Sequence, residues 1–307
     1  EWEYLEEATK IEGRAHSDPA HSSIDNKQVN NQSVLGSFMH FLVTTAYLIR
    51  SEYIQLRMLM CEDSVVSGSQ QEEILSMGQG LLAKDYVVYE DQLQFFALLA
   101  RLDVRTSLDR LYENLCSRCN AFQEELSNAE SNNSSSNQHT VDLLHEQMQW
   151  IIMMIGFTLC DSGTSERVLI PKPILDYSAS CQVTEQNLAV QCIMAMLKTL
   201  EFELSSSRSS SNAAYGSPLL VETLFWALRR IGPVYILPDL SDYHRISQSI
   251  IVAFGSASDG GNGEVVIRGI VDLIKQTFDI WSAEEDVLQM CVSLMLALGQ
   301  RASIAQK

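Results

Sequence analysis

Residues 140–160, TVDLLHEQMQWIIMMIGFTLC, decide the fold. Leu144, Met148, Ile151, Ile152, Ile155 and Leu159 recur at three- and four-residue steps, the stripe of an amphipathic α-helix rather than one face of a strand. The segment 184–204 goes further: Asn187, Gln191, Lys198 and Glu201 form a narrow polar strip, while Leu188, Cys192, Ile193, Ala195, Met196, Leu197 and Leu200 cover the rest of the circumference. A helix that apolar has to be flanked on several sides by others. Val287, Cys291, Leu294 and Leu298 repeat the stripe over 283–300.

Working outward from these segments, the periodicity predicts helices near 36–60, 70–84, 88–102, 105–128, 140–160, 184–204, 218–231, 242–255, 264–280 and 283–300. Ser69 with Glu72 and Ser282 with Glu285 fit the capping box, and Ser217 before Pro218 fits an N-cap followed by a first-turn proline. The six prolines fall at or between the ends of apolar stretches, which leaves the intervening segments free to be helical. No convincing alternating strand occurs; Tyr86–Tyr89 and Val234–Leu237 are at most brief extended pieces. From residue 88 the helices pair as 88–102 with 105–128, 140–160 with 184–204, 218–231 with 242–255, and 264–280 with 283–300. Each pair spans roughly 40 residues once loops are discounted, the helical-hairpin period of HEAT and armadillo arrays. The expected fold is therefore all-α, an α-α superhelix of HEAT/armadillo-like hairpins over 36–307, with 1–35 poorly ordered or partly helical. Runs rich in Ser, Asn and Gly near 128–138, 205–217 and 255–263 are expected to be flexible loops.

The composition narrows the partners. Among 307 residues, 39 acidic side chains face 21 basic ones, a formal charge of −18. That balance repels phosphate backbones and anionic lipid, so neither nucleic acid nor membrane insertion is expected. The longest apolar run, Trp150–Cys160, is eleven residues, short of the roughly 18 that span a bilayer. Seven cysteines without a tight framework read as reduced thiols of the cytosol or nucleus. The chain opens on Glu1 rather than methionine, so a piece of a longer protein is expected.

Catalytic constellations fail one by one. His145-Glu146-Gln147-Met148-Gln149 begins like HExxH, but Gln149 stands where the second imidazole must bind zinc. Cys116 and Cys119 form a CxxC with no second pair at zinc-finger spacing and no redox helix start. The glycine-rich run 255–263 lacks the Lys-Ser/Thr ending of a phosphate loop, and Asp259 would repel an anion. No Gly-x-Ser-x-Gly elbow occurs, and the six histidines show no catalytic spacing. The chain is read as a non-enzyme with no catalytic residue, cofactor or metal. Trp150, Phe157, Phe225, Trp226, Phe278 and Trp281 lie in apolar stretches and are expected mostly in the core. What remains is charge: Glu6-Glu7, Glu62-Asp63, Glu72-Glu73, Glu90-Asp91, Glu124-Glu125 and Glu284-Glu285. Singly, such pairs are solvated faces and first turns of helices. Summed over a helical array they make a negative field that speeds encounter with a basic protein.

Two stretches carry a family likeness. Leu144-His145-Glu146-Gln147-Met148-Gln149-Trp150-Ile151-Ile152, followed after a polar loop by Leu169-Ile170-Pro171-Lys172-Pro173-Ile174-Leu175-Asp176-Tyr177-Ser178, resembles the exportin-4 family of nuclear transport receptors, in the importin-β (karyopherin) superfamily. The stretch from Tyr89 to Leu115, with Gln92-Leu93 and Leu98-Leu99-Ala100-Arg101, looks like the preceding hairpin. The loop Asp161–Arg167 is less acidic than the family's, and the Ser/Asn-rich insertions depart from it. The resemblance implies a HEAT-repeat receptor that binds cargo with Ran-GTP in the nucleus, releases it in the cytoplasm, and meets nucleoporins on the way. For the family it implies the hypusine-bearing translation factor 5A and Smad proteins as exported cargo, and some Sox factors as imports. The polar positions around the family-like loop, Glu146, Asp161, Glu166, Asp176 and Tyr177, are the expected partner-binding residues for a basic or cationic cargo. Two readings from other classes stay open: a cytosolic HEAT-repeat scaffold unrelated to Ran, and an all-α enzyme whose pocket is assembled from distant residues.

Overall fold

A computed structural model describes residues 25–75, 84–132, 138–161, 169–209, 213–242 and 246–300, and every regular element among them is helical. Besides a four-residue helical turn, Asp85–Val88, and short 3-10 turns, they are α1 (Asp25–Leu75), α2 (Glu90–Leu102), α3 (Val104–Asn132), α4 (Gln138–Leu159), α5 (Lys172–Ser180), α6 (Leu188–Arg208), α7 (Pro218–Tyr235), α8 (Gln248–Phe254), α9 (Gly263–Ile280) and α10 (Glu285–Gly299). Two compact units divide the chain between Thr45 and Ala46. The described part of the first is the helical stretch 25–45, on which Phe38 and Phe41 are exposed.

The second unit is built on α4. From Gln147 to Leu159 every residue of that helix is buried. It meets that demand by lying between α2 and α7, while α7 in turn lies between α4 and α10. These four helices make one layer; α3, α6 and α9 stack alongside as a second. The helices therefore form successive hairpins of the HEAT type, each burying its stripe on its neighbours because no single hairpin can enclose a core.

The hairpin partition differs from the expected one in the C-terminal half. The helix near 242–255 is only the seven residues of α8, about 10 Å of rod, too short to line the 18 residues of α7. Instead α7 lies against α4, α6 and α10, and α9 lies against α6, α8 and α10, so the expected pairing of 264–280 with 283–300 is in contact while that of 218–231 with 242–255 is not. The short helix α5 packs on both α2 and α3, while α8 packs on α5, α6 and α9. They are tied together by Asn187, which caps α6 through Ala189 N at 3.1 Å and donates Nδ2 to Ser249 Oγ at 2.8 Å.

Local signals met mixed fates. Ser217 caps α7 as expected, accepting from Leu220 N at 3.2 Å with Pro218 at the first position. The helix then runs through Pro233 to Tyr235, past its expected end. The capping boxes are not used: α1 continues through 69–72 without a break, and α10 starts at Glu285 with Glu284 as its cap residue. The separate helices at 36–60 and 70–84 are thus one helix as far as Leu75, and residues 76–83 lie outside the described part. Helix α5 went unread because Pro171 and Pro173 mark a break, whereas both sit where a helix start tolerates proline. The glycine-rich run 255–263 is a closed turn. Gly263 N donates to Gly255 O at 2.8 Å and the Glu264 carboxylate accepts Ala257 N at 3.0 Å. Gly260 adopts φ 78°, and a Cβ on Gly263 would lie 2.3 Å from the Phe254 carbonyl, so the glycines serve the turn itself.

Buried polar groups lock the layers. The last carbonyls of α4 have no partner within the helix. Arg101 of α2 donates to Thr158 O at 2.9 Å and Phe157 O at 2.7 Å. Arg230 of α7 donates to Gly156 O at 3.1 Å and Cys160 O at 2.9 Å, and Tyr235 Oη to Leu159 O at 2.9 Å. Five consecutive carbonyls are thus answered from two flanking helices. Arg50 does the same for the end of α2, donating to Ala100 O and Asp103 O at 3.3 Å each. His145, the histidine of the failed HExxH, stands 3.3 Å from the carboxylate of Glu203 with both side chains buried, and its ring lies edge-on to Phe122. The other oxygen of Glu203 accepts Ser217 N at 2.6 Å, so this pair fixes the start of α7.

Candidate functional site

The surface best shaped to take a partner runs along α3. Arg105, Asp109, Tyr112, Cys116, Asn120, Gln123 and Ser127 follow one another at three- and four-residue steps, and all are exposed or half-buried. They form one polar stripe of the helix, beside the face that buries Leu108, Leu111, Leu115, Phe122 and Leu126.

Midway, the stripe faces α6 across a groove of about 190 Å³. Small residues open it: Cys116 and Asn120 on one side, Ala195 and Thr199 on the other. Leu115 lies at its buried base, Met194 and Phe202 flank it, and Gln123, Gln191 and Lys198 bring polar ends to it. Toward the start of α3 lies a polar recess of about 480 Å³, where Arg105 and Asp109 meet Tyr177, Cys181, Glu185 and Gln186. A third concavity adjoins the groove at Asn120 and Gln123 and continues to Asn128. Apolar floor and amide rim are the mixture by which protein surfaces grip peptides and side chains.

The thiols here are structural. All seven cysteines are free. Cys119 lies 3.1 Å from Thr199 Oγ1, and burial pushes its pKa up to about 11. Burial raises Cys192 as well. Among the described residues no cluster of three His, Cys, Asp or Glu is placed to hold a metal ion.

The expected partner-binding residues are put to different uses. Asp161 is exposed and pairs with Arg101 at the end of α4. Glu146 is half-buried on α4, on the side of Cys61. Asp176 is exposed on α5. Tyr177 lines the recess beside α3; its hydroxyl donates to Gln186 O at 3.2 Å and accepts Leu188 N at 3.3 Å. Burial chiefly pushes its pKa up to about 12. Glu166 lies outside the described residues. Of the four that are described, Tyr177 is the one on the α3 surface. The residues that sequence reading passed over, Tyr112, Cys116, Asn120 and Gln123, carried a signal all the same: a helical period in polar side chains.

Charge on this face is mixed. Asp109, Glu113, Glu124, Glu201, Asp272 and Asp279 are exposed, and so are Arg105, Lys198, Arg208, Arg268 and Lys275. Lys275 pairs with Asp272 at 2.9 Å. The acidic surplus is not concentrated here; one exposed cluster of it is Glu284, Glu285 and Asp286, at the start of α10.

A family model described as Exportin-4 matches residues 17–307. The chain belongs to the exportin-4 family. Exportin-4 of Dictyostelium discoideum is 23% identical over 262 residues, which covers 80% of this chain and 21% of that protein. The chain thus spans 21% of the length of the curated relative it matches. Membership fits the stacked hairpins and extends the likeness seen at 144–178 across most of the sequence. Among the described residues no helix is long and apolar enough to cross a membrane.

Proposed function

We propose that this chain is part of a nuclear transport receptor that shuttles between nucleus and cytoplasm, and that it contributes a helical-repeat surface for protein cargo exported with Ran-GTP. The observation that carries the reading is the family match over residues 17–307. The stripe of α3 and the groove it shares with α6 supply a place for cargo side chains. Asp161, Asp176 and Tyr177, with Glu146 and Glu166, supply the polar contacts to a basic or cationic cargo, of which the family's hypusine-bearing translation factor 5A and Smad proteins are the reference cases. Ran-GTP and nucleoporins engage the full-length chain.

The test is capture of cargo by the full-length protein from cell extract, with and without GTP-locked Ran. Capture that rises with Ran-GTP supports the reading; capture indifferent to Ran favours a cytosolic scaffold. Asp161→Asn with Asp176→Asn is expected to weaken capture several-fold at low salt and less near physiological salt, where screening shortens to about 8 Å. Equal loss at both salt concentrations removes the electrostatic part.

A further inference from the structure

Ahead of α2 the chain lays a six-residue strap, Lys84–Tyr89, across the first layer. Lys84 Nζ donates to Glu222 of α7 at 2.7 Å and to Asp286 of α10 at 2.8 Å. Tyr86 stacks on Trp226 of α7 with centroids 4.8 Å apart and rings 17° from parallel, and its hydroxyl donates to Glu222 at 3.0 Å. Tyr89 tilts against Trp150 of α4 at 5.2 Å. The strap therefore crosses three helices and meets each with a different side chain.

Two features make this more than a packed loop. Glu222 is 3% exposed, and both hydrogen bonds to its carboxylate come from the strap. Burying a carboxylate is costly unless a cation or donors accompany it, so α7 is built to receive a cation at this point. The strap itself is held from the side chains inward. From Lys84 to Val88 its backbone bonds stay within its own helical turn, with Val87 N and Val88 N donating to Lys84 O and Tyr89 N to Asp85 O, and only at its end does Tyr89 O accept Leu93 N of α2. Its outward residues Val87 and Val88 are 55% and 56% exposed. Tyr89 is also held by α2 and by the Arg57 guanidinium 4.3 Å from its ring, but what fastens the strap ahead of it is a lysine and a tyrosine, which another segment can equally present.

We propose that the surface formed by Glu222, Asp286 and Trp226 is a docking groove occupied at rest by the chain's own strap, and that it accepts instead a partner's segment with a lysine two residues before a tyrosine. Charge complementarity points to that chemistry: the groove's carboxylates adjoin Glu284 and Glu285, and the chain as a whole carries −18. The strap competes within the molecule, so a partner's affinity is reduced by the fraction of time the groove is open. The proposal stands whether or not the chain serves in transport.

The experiment uses the full-length protein and a labelled, end-capped peptide of residues 84–89. With Lys84→Ala and Tyr86→Ala together the strap is released, and the peptide is expected to bind at least ten-fold tighter than to the parent. Adding Glu222→Gln is expected to remove that gain. Equal binding to parent and released protein, or a gain that survives Glu222→Gln, overturns the proposal. Dimerisation of the released protein by light scattering, with no gain for the peptide, gives the groove to a second copy and overturns it too. If the double variant loses its helical circular dichroism, hydrogen exchange of the parent decides. Saturating peptide should speed exchange of the Val87 and Val88 amides, and unchanged exchange sinks the idea.

Discussion

Two joints of the stack use small residues to opposite ends. At the α4–α7 joint, Gly156 lets the Trp226 ring in so closely that a Cβ there would lie 3.1 Å from it. Phe157 meets the same ring at 5.4 Å, and the Arg230 guanidinium lies 4.1 Å from the centre of the Phe157 ring. At the α3–α6 joint, Cys116, Ala195 and Thr199 are also small, but the rings that meet there, Phe122 and Phe202, pack to one side of them and a groove remains. A small residue closes a joint when its neighbour brings a ring across and opens one when it does not. The first joint is sealed for stability; the second is left polar and accessible.

The contrast breaks first in stability. Phe157→Ala at the sealed joint is expected to cost about 4 kcal/mol, read as a fall in the urea midpoint; a loss below about 1 kcal/mol would mean the joint is not packed as described. Arg230→Met keeps much of the bulk but leaves the Gly156 and Cys160 carbonyls without this donor, at a cost of about 2–3 kcal/mol. Alkali probes both joints through their thiols. Burial lifts Cys160, at the sealed joint, and Cys61 and Cys291 to about 12, and Cys119, at the open one, to about 11. The folded chain thus holds protons that the unfolded chain releases near pH 8.5. That contribution is complete below the unfolded value and drains away as pH climbs through 11 to 12, so denaturant midpoints should fall between pH 8 and 10. Midpoints flat over that range would contradict it. The smallest stability effect belongs to the groove: Gln123→Ala is expected to change stability by less than about 0.5 kcal/mol while lowering cargo capture by the full-length protein. The reverse pattern would make Gln123 a structural residue.

Much of the fold was legible because burial and periodicity coincide. The stripe of α4 and the nearly all-round apolar surface of α6 announce helices pressed on several sides, and both are found so. The hairpin partition was less so, since α8 reads as a helix and only its length in three dimensions shows that it cannot line α7. Ser282 had the composition of a cap and none of the role, because α10 begins two residues later than that box requires. The groove escaped notice for a chemical reason. Periodicity reading looks for apolar repeats, while Arg105, Asp109, Tyr112, Cys116, Asn120 and Gln123 repeat in polar residues. The strap could not be read at all, for Lys84 and Glu222 meet only across 138 positions of sequence.

The grip of Arg101, Arg230 and Tyr235 on the end of α4 has a mechanical meaning. A rod clamped from both flanks at one tip can neither slide nor spin there, whereas its opposite tip, near residue 138, has no comparable fastening among the described residues. If neighbouring repeats flex, that clamped tip is the expected hinge pin, with the travel greatest toward the other end of the same rod.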